Sequence, residues 1–114
     1  MTDVVELTHS DGRLVCRARV ARSFLARFRG LMLTASLEPG TGLLFPRTSS
    51  VHTHFMRYPI DVVFLDAEGR VVSIKPALRP WRFASSRGAR TVLELPPGEA
   101  AAAGLAEGDV LSGL

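Results

Sequence analysis

Few residues in this 114-residue chain have the type and spacing that chemistry needs, and most of them lie between positions 51 and 94. The stretch Val51 to Met56 alternates, which on a strand puts His52, His54 and Met56 on one face and Val51, Thr53 and Phe55 on the other. Two imidazoles two residues apart on a strand converge and can hold zinc or iron. A working metal centre needs a third protein ligand, and Asp61, Glu94 and His9 are available without any characteristic spacing. A packing or surface role for the histidine pair, with no cofactor, is therefore the first expectation, and a metal site at His52 and His54 the sharper alternative.

Asp61 differs in kind, because it stands between Pro59-Ile60 and the wholly apolar Val62-Val63-Phe64-Leu65. A carboxylate beside a core must be satisfied by a cation, for which Arg57 is near in sequence, or by backbone donors. An Asx-type brace of the turn is the simpler role. Trp81 and Phe83 alternate with Arg79 and Arg82, a composition that can stack on bases, clasp a ligand, or fold its indole back over a barrel mouth. A pocket, if one exists, is expected to be lined by His52, Met56, Arg57, Asp61, Trp81 and Glu94. No catalytic residue is assigned. The single cysteine, Cys16, sits on the apolar side of an alternating segment and reads as a small buried hydrophobe with a raised pKa. The sequence holds no Gly-x-Ser-x-Gly, phosphate loop, dinucleotide fingerprint or Cys-x-x-Cys.

Charge is unevenly placed. Lys and Arg number 14 against 11 acids, a net +3, and thirteen of the fourteen are Arg. Six arginines and no acid fall between Gly12 and Leu37. A face carrying Arg13, Arg17 and Arg19 is an anion or nucleic-acid candidate, although charge runs are more often solvated surfaces and nucleic acid is not the expected partner.

The elements that must position these groups are mostly strands. Arg13 to Val20 alternates as a strand with one wet face; Ser23 caps a short helix bearing Phe24, Leu25, Phe28, Leu31 and Met32; Leu43 to Phe45 is a short buried run ended by Pro46. Val62 to Leu65 reads as a central strand joined by Asp66-Ala67-Glu68-Gly69 to Val71 to Ile74, a hairpin. Residues Lys75 to Ala89 contain Pro76 and Pro80 and are expected to form a long excursion before the strand Thr91 to Leu95. Pro96-Pro97 opens a helix over Gly98 to Ala103, closed by Gly104, and Val110-Leu111 is a last strand. With 46% apolar residues, one cysteine and no run of eighteen apolar residues, this predicts one domain over residues 1–114. The fold class expected is mainly β, an antiparallel barrel or sandwich of six to eight short strands with one or two short helices, bordering on α+β. A cytoplasmic location without a membrane span is expected, since Met1 to Ser10 lacks the order of a secretory signal.

The motifs Arg29-Gly30-Leu31-Met32, Gly42-Leu43-Leu44-Phe45 and Phe55-Met56-Arg57-Tyr58-Pro59-Ile60-Asp61-Val62-Val63-Phe64-Leu65-Asp66 resemble the small bacterial and archaeal proteins grouped as domain of unknown function 192. Gly69-Arg70-Val71-Val72, Val92-Leu93-Glu94-Leu95-Pro96-Pro97-Gly98, Gly104-Leu105 and Gly108-Asp109 fit the same pattern in the same order, so the resemblance covers about Leu14 to Leu111. It implies a compact, mostly antiparallel β-fold in a bacterial protein and brings no activity, cofactor or catalytic residue. Many relatives carry Trp where this chain has Phe55, and a longer stretch where it has Arg57-Tyr58. The functional expectation is a non-catalytic β-module binding a small ligand or a protein; a metal-dependent enzyme at His52 and His54, and nucleic-acid binding through the Arg13 to Arg29 face, are the alternatives.

Overall fold

The fold is taken from a computed structural model and is described for residues 4–21, 38–53 and 56–114. Among the described residues, nine strands and one short helix follow in chain order: β1 (Val4–His9), β2 (Leu14–Val20), β3 (Thr41–Pro46), β4 (Ser50–His52), β5 (Ile60–Leu65), β6 (Val71–Leu78), β7 (Phe83–Ser85), β8 (Thr91–Leu95), α1 (Glu99–Ala102) and β9 (Leu111–Ser112). Seven strands form one sheet in the order β6-β5-β8-β3-β2-β1-β9, and β4 pairs with β7 in a separate ribbon. The mainly β architecture expected from the alternation is the one observed.

Hydrophobic pattern explains the layering. Every residue of β5 is buried, Asp61 included, as the apolar run Val62 to Leu65 requires of a strand covered on both faces. Val63 and Leu65 join Leu7, Cys16, Leu44, Leu93 and Leu95 in one cluster, and Ile60, Val62 and Phe64 join Leu43, Phe45, Met56 and Val92 in the other. Each fully buried Leu, Ile or Phe stabilises the fold by about 1.5–3 kcal/mol, so these two layers hold the sheet. The first cluster is closed by α1 and the turn after it, through Ala100 and Leu105. The second is covered by the ribbon, through Val51 and Ala84.

The hairpin β5-β6 is present with the expected loop, where Asp66 Oδ1 accepts the Glu68 and Arg70 amides, each at 2.9 Å. Four features depart from the sequence expectations. β6 runs on through Pro76 to Leu78, so the excursion is shorter than expected and contains β7. The strand containing His52 ends at that residue, and the Met56 amide folds back on the Thr53 carbonyl (3.1 Å), so strand alternation does not extend across Val51 to Met56. β2 and β3 pair in parallel, which demands a long connection between them; the helix expected from Ser23 lies outside the described residues. Finally, Val4–His9 is a full strand, where the sequence pattern assigns none.

That first strand matters for closure. β9 pairs with β1 (Thr8 opposite Ser112, His9 opposite Leu111), and Val110 bridges Arg70 at the start of β6. The Val71 amide donates to Asp109 (2.7 Å) and the Leu111 amide to Gly69 (2.9 Å). The curled half-barrel is thus stitched edge to edge at one end. Gly69, at φ 81, must be glycine there: an added Cβ would lie 2.5 Å from the Leu111 carbonyl oxygen.

Candidate functional site

The structure divides the expected pocket residues between the two faces of the sheet. Asp61 shares the inner face with Val63 and pairs with Leu95, whereas Glu94 pairs with Val62 on the ribbon side. Both carboxylates are buried, each 1% exposed. Met56 lies in the ribbon-side cluster, Arg57 is exposed, and His52 is exposed on the outer face of β4. His54 lies outside the described residues, and among the described residues no three His, Cys, Asp or Glu side chains gather.

Asp61 has two long-range partners. Oδ1 accepts the Ala77 amide at 2.8 Å and Oδ2 accepts the Ala100 amide at 3.0 Å. Ala77 stands at φ 47, in the left-handed region, where β6 breaks register with β5. Ala100 is in the first turn of α1, a four-residue helix too short to persist alone, whose N-cap Gly98 offers no side chain. One carboxylate therefore sets both the bend of β6 and the seat of α1. The Asx-type brace of the turn expected for Asp61 is not what these bonds make: both partners are long-range, 16 and 39 residues away.

The bend of β6 delivers the chain to a reverse turn, and here the sequence reading missed a residue. Thr53 is fully buried. Its hydroxyl donates to the Arg79 carbonyl (2.5 Å) and accepts the Arg82 amide (2.8 Å). Its own amide donates to the Arg82 carbonyl (2.8 Å), and its carbonyl accepts the Trp81 amide (3.0 Å). Pro80 and Trp81 occupy the two central positions, with Trp81 at φ 64. Proline followed by a positive φ is the residue pattern of a type II turn, which wants glycine second. A bulky residue there costs on the order of 1–2 kcal/mol, and the Thr53 contacts hold it. The only sequence signal for Thr53 was its alternation with two histidines.

Despite this bracing, the turn does not bury its aromatic groups. Trp81 is 57% exposed and Phe83 66%. On the ribbon, Val51 pairs with Ala84 facing the core, and His52 pairs with Phe83 facing outward. His52 and Phe83 therefore stand side by side on the outer face of the ribbon, and the exposed turn that carries Trp81 adjoins it. Glu94 and Met56 lie in the layer beneath them, and Asp61 on the far side of the sheet.

The Arg13 to Arg19 face is partly neutralised. Arg13 Nε meets Asp11 at 2.6 Å, and Arg17 Nε meets Glu6 on β1 at 3.1 Å; Arg19 is exposed on the same strand as Arg17. Arg22, Arg27 and Arg29 lie outside the described residues. Cys16 is buried, and desolvation, with the Glu99 charge adding to it, pushes its thiol up to about 11, the behaviour of an inert core residue. At the seam, Asp109 Oδ2 accepts the Ala106 amide (2.9 Å) and lies 3.0 Å from His9 Nε2. The His9 contact first, and the Ala106 amide second, hold the Asp109 carboxyl below its ordinary value.

No helix among the described residues is long and apolar enough to cross a membrane. Comparison with known proteins agrees with the resemblance in the motifs. The family model DUF192, uncharacterized ACR, matches residues 5–113. A UPF0127 protein of Thermococcus sibiricus is 41% identical over 87 residues, covering 72% of this chain and 56% of that protein. One from Thermococcus kodakarensis is 35% identical, covering 84% of this chain and 64% of that protein. The chain thus spans less than two thirds of the length of these relatives. They are archaeal, so the expectation of a bacterial protein is too narrow for the family. Among solved structures, a Sinorhizobium meliloti protein provisionally assigned as a transcription regulator superimposes with TM-score 0.83 at 26% identity, over 99% of this chain and 94% of that one. A Novosphingobium aromaticivorans protein of unknown function gives TM-score 0.81 at 26% identity, over 97% of this chain and 84% of that one. With the family model spanning nearly the whole barrel, from β1 to β9, this chain belongs to the uncharacterised DUF192 (UPF0127) family.

Proposed function

We propose that this chain is a non-catalytic binding module whose working surface is the outer face of the β4-β7 ribbon and the Arg79 to Arg82 turn. One observation carries the reading: a fully buried threonine fixes a strained turn that leaves Trp81 and Phe83 mostly in solvent. Backbone strain held in place by surrounding bonds clusters at binding and catalytic loops. Large aromatic groups on an ordered surface supply binding area at little cost in conformational entropy. The provisional assignment of the Sinorhizobium meliloti neighbour as a transcription regulator also describes a protein that works by binding.

The test pairs a ligand panel with a double variant. Untagged protein is screened by thermal shift against divalent metals, anions, nucleotides and small metabolites, beside Trp81→Ser/Phe83→Ser. The expected result is a stabilising ligand class for the natural protein, by mass action on the folded state, that no longer shifts the variant. A variant that responds equally to every ligand, or one that melts more than about 10 °C lower because the rings are structural, overturns the reading.

A further inference from the structure

Resting on that surface, we infer that its ligand is single-stranded nucleic acid, held by base stacking on Phe83, Trp81 and His52 and by phosphate contacts from the surrounding arginines. Charge placement supports this. Residues 39–60 and 69–93, which contain β3, the ribbon and its loops, β6 and most of β8, carry eight basic side chains and no acidic one. Arg47, Arg57, Arg79, Arg82, Arg87 and Arg90 are all exposed, and none forms an ion pair among the described residues. The Arg13 and Arg17 guanidiniums, by contrast, already have carboxylates. Among the described residues, those six thus make up most of the eight exposed arginines without an ion pair, the other two being Arg19 and Arg70.

Aromatic placement narrows the anion. A polyanion without rings gains nothing from Phe83 and Trp81, whereas every nucleobase has a face that stacks on them, and arginines flanking the rings can meet the phosphates. Bases in a duplex are stacked on one another and out of reach, so the strand must be single. The outer face of a three-residue ribbon spans about 10 Å, and with the adjoining turn it takes on the order of three nucleotides. The site would be short, tolerant of sequence and strongly dependent on salt.

Trp81 is the only tryptophan in the chain and reports directly on stacking. The experiment titrates the full chain with dT12 and rU12, following indole fluorescence across a salt series, with polyphosphate and polyglutamate as polyanions lacking bases. The expected result is quenching by the oligonucleotides alone, with affinity falling as salt rises at a logarithmic slope near −2, about three phosphates at −0.7 each. Phe83→Ala should weaken oligonucleotide binding about 5–150-fold, Phe83→Tyr should restore it, and Arg17→Gln on the other face should leave it unchanged. Oligonucleotides that leave the indole unquenched at low salt overturn the inference. So does equal binding of oligonucleotide and polyglutamate that Phe83→Ala does not alter. In that second case, loss of polyglutamate binding in Arg79→Gln/Arg82→Gln would keep the ribbon as a binding surface and assign it to acidic protein segments.

Discussion

Replacing Asp61 by asparagine changes one atom in the barrel wall, and the structure sets how much that should cost. The carboxylate offers one oxygen to the Ala77 amide and the other to the Ala100 amide, at 2.8 and 3.0 Å, in a site that is 1% exposed. Asparagine keeps one acceptor and turns an NH2 group toward the second amide. A hydrogen bond to a charged group contributes about 1.5–3 kcal/mol, and a buried donor left without a partner costs about 1–3 kcal/mol. The expected loss for Asp61→Asn is therefore about 2.5–6 kcal/mol, out of the roughly 5–15 kcal/mol typical of a domain. Urea unfolding should show a lower midpoint with an unchanged slope, and melting should fall by about 10–25 °C. Native-state hydrogen exchange adds a local signature, because the Ala77 and Ala100 amides should lose protection ahead of the β5 amides. A loss under about 1 kcal/mol, with both amides still protected, would refute the argument that Asp61 braces β6 and α1.

Three further outcomes follow from the same structure. Thr53→Val removes a hydroxyl that donates to Arg79 and accepts from Arg82; stability should fall by about 2–3 kcal/mol and the Trp81 emission should change, with Thr53→Ser restoring both. Gly69→Ala forces a side chain against the Leu111 carbonyl at a positive φ, so the edge bridge should open, with a loss of about 2–3 kcal/mol read by urea unfolding and faster exchange at Val71 and Leu111. The Asp109 carboxyl titrates below its ordinary value of 3.8, so it stabilises the fold above that pH; as pH falls through the lower folded value this contribution disappears, and Asp109→Asn should flatten the acid limb of a stability-against-pH profile.

What the sequence revealed follows from how local each signal is. The central hairpin was legible because β5 is apolar at each of Ile60 and Val62 to Leu65, and its loop ends in a glycine that the turn needs. Cys16 was legible because strand alternation assigns a face without knowledge of any partner strand. Pro76 misled, since proline inside a strand usually ends it; here β6 is the outermost strand of the sheet, where a missing donor is tolerated. The Val51 to Met56 alternation misled in the opposite sense, because a period of two does not show where a strand stops, and the Thr53 bonds to residues 79–82 stop it. The pocket list mixed Asp61 with Glu94 because both are acids near apolar runs. Only the register of β5 against β8 separates them onto opposite faces. Thr53 carried no chemical flag, since its importance comes from partners 26 and 29 residues away.

The stitching of the barrel edges also bears on how the chain reaches its native state. His9 and Asp109 meet across 100 residues, and the β1-β9 pairing has a similar separation. Contacts so far apart require nearly the whole chain to be confined before any bond repays the lost entropy, so they should form late on the folding route. Until they do, β1 and β6 are both unpaired edges with bonding groups free, the geometry that templates association between chains. Crowded or rapid synthesis should therefore favour aggregates joined through these edges.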